Sequence, residues 1–210
     1  MPAGESCHER QTELRRFNAA HPGVSLSLQV RSTQQVAGLV ASQQLDLGVI
    51  SGIQLSDPGI DMQTLADSRL VCVLPPGHRL SQHELIRPAD LEGELFVSLG
   101  TEQDLRYKID NVFDQAGVSR QLLIDTQLHY AACGFVLAGN GVSIVDPVTA
   151  QHYARLGLVV KRFEPRIGYR YSLIFPRNRA QSALARGFVS LLRAELQSLQ
   201  QRSNGLFEML

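Results

Sequence analysis

The chain has 210 residues, 44% of them hydrophobic and 19% charged, with no tryptophan. That is an ordinary globular composition, large enough to bury a full core, and it excludes a disordered tail or a disulfide miniprotein. Twenty basic residues balance twenty acidic ones, so no whole-chain field is available to hold nucleic acid or an anionic membrane.

Met1 to Arg10 lacks the basic and then apolar segments of an export leader, and runs such as Leu70 to Leu74 fall far short of the roughly twenty apolar residues of a membrane helix. A soluble, cytoplasmic chain with no membrane partner is expected. Glu13 to Ala20 carries Leu14, Phe17 and Ala20 at helical spacing and stops at His21-Pro22-Gly23. Val24, Leu26, Leu28 and Val30 then alternate with Ser25, Ser27 and Gln29, which predicts a half-buried strand. Ser32 and Thr33 are N-cap candidates for a helix that buries Val36, Leu39, Val40 and Leu45. Asp46 to Ile50 predicts a second strand, parallel to the first. After a loop at Asp57-Pro58-Gly59, Arg69 to Pro75 predicts an apolar strand, ended at Pro75-Pro76-Gly77, the first candidate crossing between domains.

A second cycle starts with the strand Leu95 to Leu99, passes Gly100-Thr101 into a helix holding Leu105, Ile109, Val112 and Phe113, and ends at Gly117. Leu122 to Ile124 predicts a strand, Asp125-Thr126 a cap, and Leu128 to Ala138 a helix. Val142 to Val145 is the next strand, closed by Asp146-Pro147. A short helix ending at Tyr153 to Leu156 and the strand Leu158 to Phe163 follow. Tyr169 to Phe175 predicts a strand for the return crossing. The last helix, Ser182 to Leu199, is expected to bury Leu184, Phe188, Leu191, Leu192 and Leu196, and Gln200 to Leu210 reads as a frayed tail. Two α/β lobes result.

Charge is uneven: residues 151–194 hold nine Arg or Lys and one acid, Glu164. A solvated basic face explains this, and an anion contact is the alternative. Cys7, Cys72 and Cys133 are odd in number and widely separated, without metal spacing, and read as free thiols in a reducing compartment. His129 and Cys133 stand four apart on one predicted helix, but no further ligands accompany them, so Cys133 reads as core and no metal site is assigned. No zinc-protease helix, phosphate loop, nucleophile elbow or dinucleotide fingerprint is present, and neither catalytic residue nor cofactor is assigned. What remains is a set of polar strand-to-helix junctions: Ser32-Thr33-Gln34, Ser98-Leu99-Gly100-Thr101, Asp125-Thr126 and Asp146-Pro147-Val148-Thr149. Each is either a plain N-cap or part of a small-anion or amino-acid pocket built from hydroxyls and helix-start amides. Asp146, at the carboxyl end of a strand, is either a turn-former or a ligand contact.

Four segments in order, Leu14 to Val24 (LRRFNAAHPGV), Leu45 to Ile50 (LDLGVI), Val73 to Leu80 (VLPPGHRL) and Gly139 to Pro147 (GNGVSIVDP), resemble landmarks of the effector-binding domain of LysR-type bacterial transcription regulators. The Ser-Ile-Val-Asp-Pro form is most similar to the branch holding octopine and nopaline regulators and basic-amino-acid sensors. The resemblance implies an α/β fold of the type 2 periplasmic-binding-protein kind, two Rossmann-like lobes joined by two crossing strands. Residues 1–76 and 176–210 would form the first lobe and 77–175 the second. It also implies a small effector in the interlobe cleft, contacted by Ser32, Thr33, Gln34, Ser98, Gly100, Thr101, Thr126 and Asp146, with an amino acid or opine bearing a cationic group suiting Asp146. The implied assembly is a homodimer or homotetramer, with apolar contacts sought on the Val36 to Leu45 helix and the last helix. DNA would be met only through a winged helix-turn-helix not recognisable in this chain, and the family's usual first strand is not recognisable in MPAGESCHERQTE. A free-standing solute-binding protein of the same fold is the alternative reading, and an enzyme is the third and least supported.

Overall fold

The computed structural model describes residues 17–52, 55–100, 104–202, 205 and 207–209. Residues 17–20 are helical, so the predicted Glu13 to Ala20 helix is seen over its last turn, and its start lies outside the described residues. Helix α1, Thr33–Ala41, begins where Ser32 stands in extended backbone. The Ser32 hydroxyl accepts the Gln35 N–H at 3.3 Å, and Gln35 Oε1 accepts the Ser32 N–H at 3.2 Å. That reciprocal box satisfies two backbone donors the helix cannot serve itself. Beyond α1 come β1 (Gly48–Ser51), β2 (Ile60–Arg69), β3 (Val71–Leu74), β4 (Leu85–Ile86), β5 (Leu95–Leu99), α2 (Asp104–Ala116) and β6 (Gln121–Thr126). The order continues with α3 (His129–Leu137), β7 (Ser143–Val145), α4 (Pro147–Ala154), β8 (Val159–Phe163), β9 (Gly168–Pro176), α5 (Ala183–Arg202) and β10 (Phe207–Met209).

The described residues pack as two units. One takes the chain up to Ile50, then Leu55–Gln63 and Leu173–Ser198; the other takes Ser51 and Gly52, Thr64–Ser172 and the chain from Leu199. The chain passes between them inside β2 and again inside β9, and Pro75-Pro76-Gly77 follows β3 within the second unit. In the first unit Val36, Ala37 and Val40 of α1 pack with Ile50, Ile60 and Ile174. Gly48 is required there, because a Cβ at that position would stand 2.5 Å from Val36 Cγ1.

The second unit is layered. Sheet order β4-β8-β3-β7 centres on β3, whose four residues are all buried. Successive side chains leave opposite faces of a strand: Cys72 and Leu74 pack in a cluster with Leu105, Ile109 and Phe113 of α2, while Val71 and Val73 pack with Ala132, Cys133 and Val136 of α3 and Ala150 and Tyr153 of α4. A strand buried on both faces carries an unbroken apolar run, as VCVL does. β5 and β6 run parallel, and a parallel bridge from Phe96 to Val142 sets β5 beside the chain entering β7. Gly141 permits this approach: its φ is +112°, and a Cβ there would lie 2.2 Å from Leu95 O.

Five expectations are corrected. Val24 to Val30 is not a strand and is largely exposed, with Leu28 89% and Val30 64% accessible, because the alternating segment has no pairing partner among the described residues. β2 occupies a stretch read as loop; the residues on its more buried face, Ile60, Met62, Thr64, Ala66 and Ser68, include two hydroxyls, and Leu65 is buried on the opposite face, so no apolar alternation marks it. Asp125-Thr126 ends β6 instead of capping a helix, and Leu128 takes the N-cap place of α3 without a side-chain bond. Leu184, expected in the core, is 36% accessible. The predicted frayed tail contains β10, which pairs antiparallel with β2, Phe207 opposite Ser68.

Candidate functional site

Parallel pairing decides which junctions meet. β6, β5 and the chain through β7 lie side by side and point the same way, so the residues that follow them share one edge of the second unit. Open α/β sheets hold ligands at this carboxyl end, where polar loops and helix starts converge. Gly100 N–H donates to Thr126 O at 2.8 Å, which brings two of the predicted site residues together. The Gln127 amide fills the space a Cβ at Gly100 would occupy, its Nε2 2.2 Å from that point. From α2, the buried Arg106 ties the same edge: its Nη1 donates to Leu99 O at 2.9 Å and to Asp125 Oδ1 at 3.0 Å, while Nε meets Asp110 at 2.6 Å.

Asp146 is 4% accessible and caps α4, with Oδ1 accepting the Thr149 N–H at 2.9 Å. The same oxygen accepts the Tyr171 hydroxyl proton at 2.8 Å, and Oδ2 lies 3.6 Å from His129 Nδ1. His129 Nδ1 also accepts the Asp146 N–H at 3.1 Å. Nε2 of the same ring stands 3.4 Å from Tyr169 Oη, which donates to Ser51 Oγ at 2.6 Å. Burial lowers the His129 pKa below its ordinary 6.5, and the Asp146 charge offsets this only in part. Both tyrosines are raised, first by burial and then by the same negative charge. Cys133, one turn along α3 from His129, is pushed up to about 12 by burial, with Asp146 adding to it; a thiol so protonated is a packing residue. Among the described residues, Asp146 has no Lys or Arg in an ion pair.

The other predicted residues are placed differently. Ser98 is buried, and its hydroxyl donates to Leu99 O at 3.3 Å. Thr126 Oγ1 accepts the Leu128 N–H at 3.4 Å. Thr101 lies outside the described residues. Ser32, Thr33 and Gln34 belong to the first unit, where Ser32 is spent on the α1 cap and Gln34 is exposed. A groove of about 340 Å³ beside them is lined by Arg31, Gln35, Gly38, Leu39, Ser42 and Gln44. Tyr169, Tyr171 and Ser51 were missed, and His129 was weighed only as a metal ligand. Tyr169 and Tyr171 stand two apart, the spacing that puts both on one face of a strand, and that was a readable signal. The long-range partnership with Asp146 was not. No helix of the described residues is long and apolar enough to cross a membrane, and no group of three or more His, Cys, Asp or Glu among them is placed to hold a metal ion.

The LysR substrate binding domain model matches residues 13–197. The chain belongs to that family. It is 35% identical over 186 residues to the transcriptional activator protein LysR of Escherichia coli, covering 89% of this chain and 60% of that protein. It is also 35% identical over 183 residues to the regulatory protein NocR of Agrobacterium tumefaciens, covering 87% and 61%. The chain therefore spans about three-fifths of the length of these relatives. Among solved structures it is similar to the CcmR regulatory domain of Synechocystis in complex with 2-PG, with TM-score 0.71, 20% identity, and 90% and 92% of the two chains covered. The effector-binding domain of BenM with benzoate gives TM-score 0.68 at 18% identity, covering 90% of this chain and 86% of that one. The fold is that of these LysR effector-binding domains, the type 2 periplasmic-binding-protein-like fold.

Proposed function

We propose that this domain senses a small amino acid or opine carrying a cationic group, and that it does so as part of a bacterial transcription regulator. One observation carries the ligand class: Asp146 is a buried carboxylate whose ion-pair neighbour among the described residues is His129, a ring held toward its neutral form. Burying a carboxylate without a countercharge is costly, and a ligand ammonium or guanidinium would relieve that cost. Gly100, Thr126 and Asp146 share the carboxyl edge that suits such a ligand. Regulation of DNA would follow from a ligand preference for one state of the assembly, since a ligand shifts an equilibrium only by its differential affinity. DNA would be met through a domain outside this chain.

A thermal-shift screen with arginine, lysine, ornithine, opines, neutral amino acids and aromatic acids tests the class. At a hundred times its dissociation constant a ligand adds about 2.7 kcal/mol to folding stability, a shift of several degrees for a domain of this size. Shifts confined to cationic amino acids or opines are expected, and shifts with aromatic or neutral acids alone would replace the ligand class.

For assembly, we propose a homo-oligomer whose contacts use exposed apolar residues: Leu26, Leu28 and Val30 in the first unit and Leu122 and Leu123 on β6 in the second. α1 is a poorer candidate than its sequence suggested, because Val36 and Val40 face the core. Leu28→Glu is expected to lower the mass measured by light scattering; an unchanged mass would remove this segment from the interface.

A further inference from the structure

The cluster around Asp146 contains a hydrogen-bonded chain whose direction one contact sets. A backbone N–H can only donate, and that of Asp146 meets His129 Nδ1 at 3.1 Å, so Nδ1 carries the lone pair and the ring proton sits on Nε2. Nε2–H then faces Tyr169 Oη at 3.4 Å. Tyr169 is 6% accessible, and its buried hydroxyl proton has Ser51 Oγ as acceptor at 2.6 Å. Ser51 therefore accepts from the chain and keeps its own proton to give, and no acceptor for it is found among the described residues. Ser51 is half-buried, and the Lys108 ammonium lies 3.5 Å from the carbonyl of the next residue, Gly52.

We propose that His129 is a positioning residue for ligand recognition: by orienting Tyr169, it presents the Ser51 hydroxyl as a donor to the carboxylate of an amino-acid-type ligand. The inference deepens the reading above and rests on it, with Asp146 taking the cationic group and Ser51, beside Lys108, the anionic one. It also makes recognition sensitive to acid. A proton on Nδ1 would face the Asp146 N–H, so the ring must turn toward Asp146 Oδ2, 3.6 Å away, and the link to Tyr169 loses its fixed direction. The titratable groups around His129 are Asp146 at the β7–α4 junction, Tyr169 on β9 and Cys133 on its own helix; Tyr171 reaches it through Asp146.

The test titrates L-arginine and agmatine, its counterpart without the carboxylate, into the wild type, Ser51→Ala, Tyr169→Phe and His129→Asn at pH 7.5 and 5.5. Each substitution is expected to weaken arginine about tenfold and to add little to the others in combination, and Ser51→Ala and Tyr169→Phe are expected to leave agmatine unchanged. Wild-type affinity for arginine is expected to fall as pH drops below 6.5 through the lowered folded pKa of His129. The histidine ¹⁵N spectrum of the unliganded protein is expected to show His129 as the Nε2–H tautomer. Arginine binding by the wild type with no loss in Ser51→Ala, an equal loss for agmatine, or an Nδ1–H tautomer would overturn the inference. Failure of the wild type to bind arginine would instead overturn the amino-acid reading, and the Ser51 contact with it, while the tautomer still decides the hydrogen-bonded chain.

Discussion

Ser32 and Asp146 hold the same local job: each precedes a helix in extended backbone, and each side chain accepts the N–H three residues on. Their surroundings differ. Ser32 is exposed and neutral, and its box with Gln35 completes its bonding. Asp146 is buried and negative, takes a tyrosine hydroxyl besides its helix amide, and faces a histidine. Capping alone is thus a poor sign of function, because any helix start offers unpaired amides. A cap that buries a charge, and gathers polar side chains from distant strands around it, is a stronger one.

The largest effect is expected from breaking the buried cap. Asp146→Ala removes the Thr149 cap and the acceptor of the Tyr171 hydroxyl proton, costing about 2–4 kcal/mol in denaturant unfolding, whereas Asp146→Asn keeps the shape and costs less. Tyr171→Phe removes one bond to the carboxylate, and a loss of about 1–2 kcal/mol is expected. Ser32→Ala is expected to cost about 1 kcal/mol and to leave the acid sensitivity of the protein untouched. That sensitivity follows from His129. Its folded pKa lies below 6.5, so the unfolded chain binds the proton first as pH falls. Its contribution is fully present above 6.5 and is lost as pH drops from there through the folded value. His129→Asn should flatten that part of the stability profile, as measured by melts between pH 5 and 8. The smallest effect is expected at the exposed Asp67–Arg170 pair, where the Asp67 pKa is lowered mainly by its hydrogen bonds to Arg170. Exposed pairs are weak and screened, so Asp67→Asn should leave the melt at neutral pH unchanged.

Strong local patterns were legible. The β5 run LFVSL, the α2 stripe of Leu105, Ile109 and Phe113, and the β7 run before Asp146-Pro147 all fall where their periodicity places them. Failures came where partners decide. Val24 to Val30 has a strand's alternation and no strand beside it, while polar β2 is a strand because β9 and β10 pair with it. The candidate edge was half legible: Gly100, Thr126 and Asp146 were recognisable as junction residues. Their adjacency depends on parallel pairing, and Tyr171 reaches Asp146 from 25 residues away. No window of sequence contains such a contact.

The most direct test of the central claim is calorimetric titration of L-arginine into the wild type and Asp146→Asn, with melting curves showing both folded. Measurable binding by the wild type and a loss of tenfold or more in the variant, corresponding to about 1.4 kcal/mol, are expected. Equal affinity in the two proteins would remove Asp146 from the site and contradict the claim that its buried charge selects the ligand.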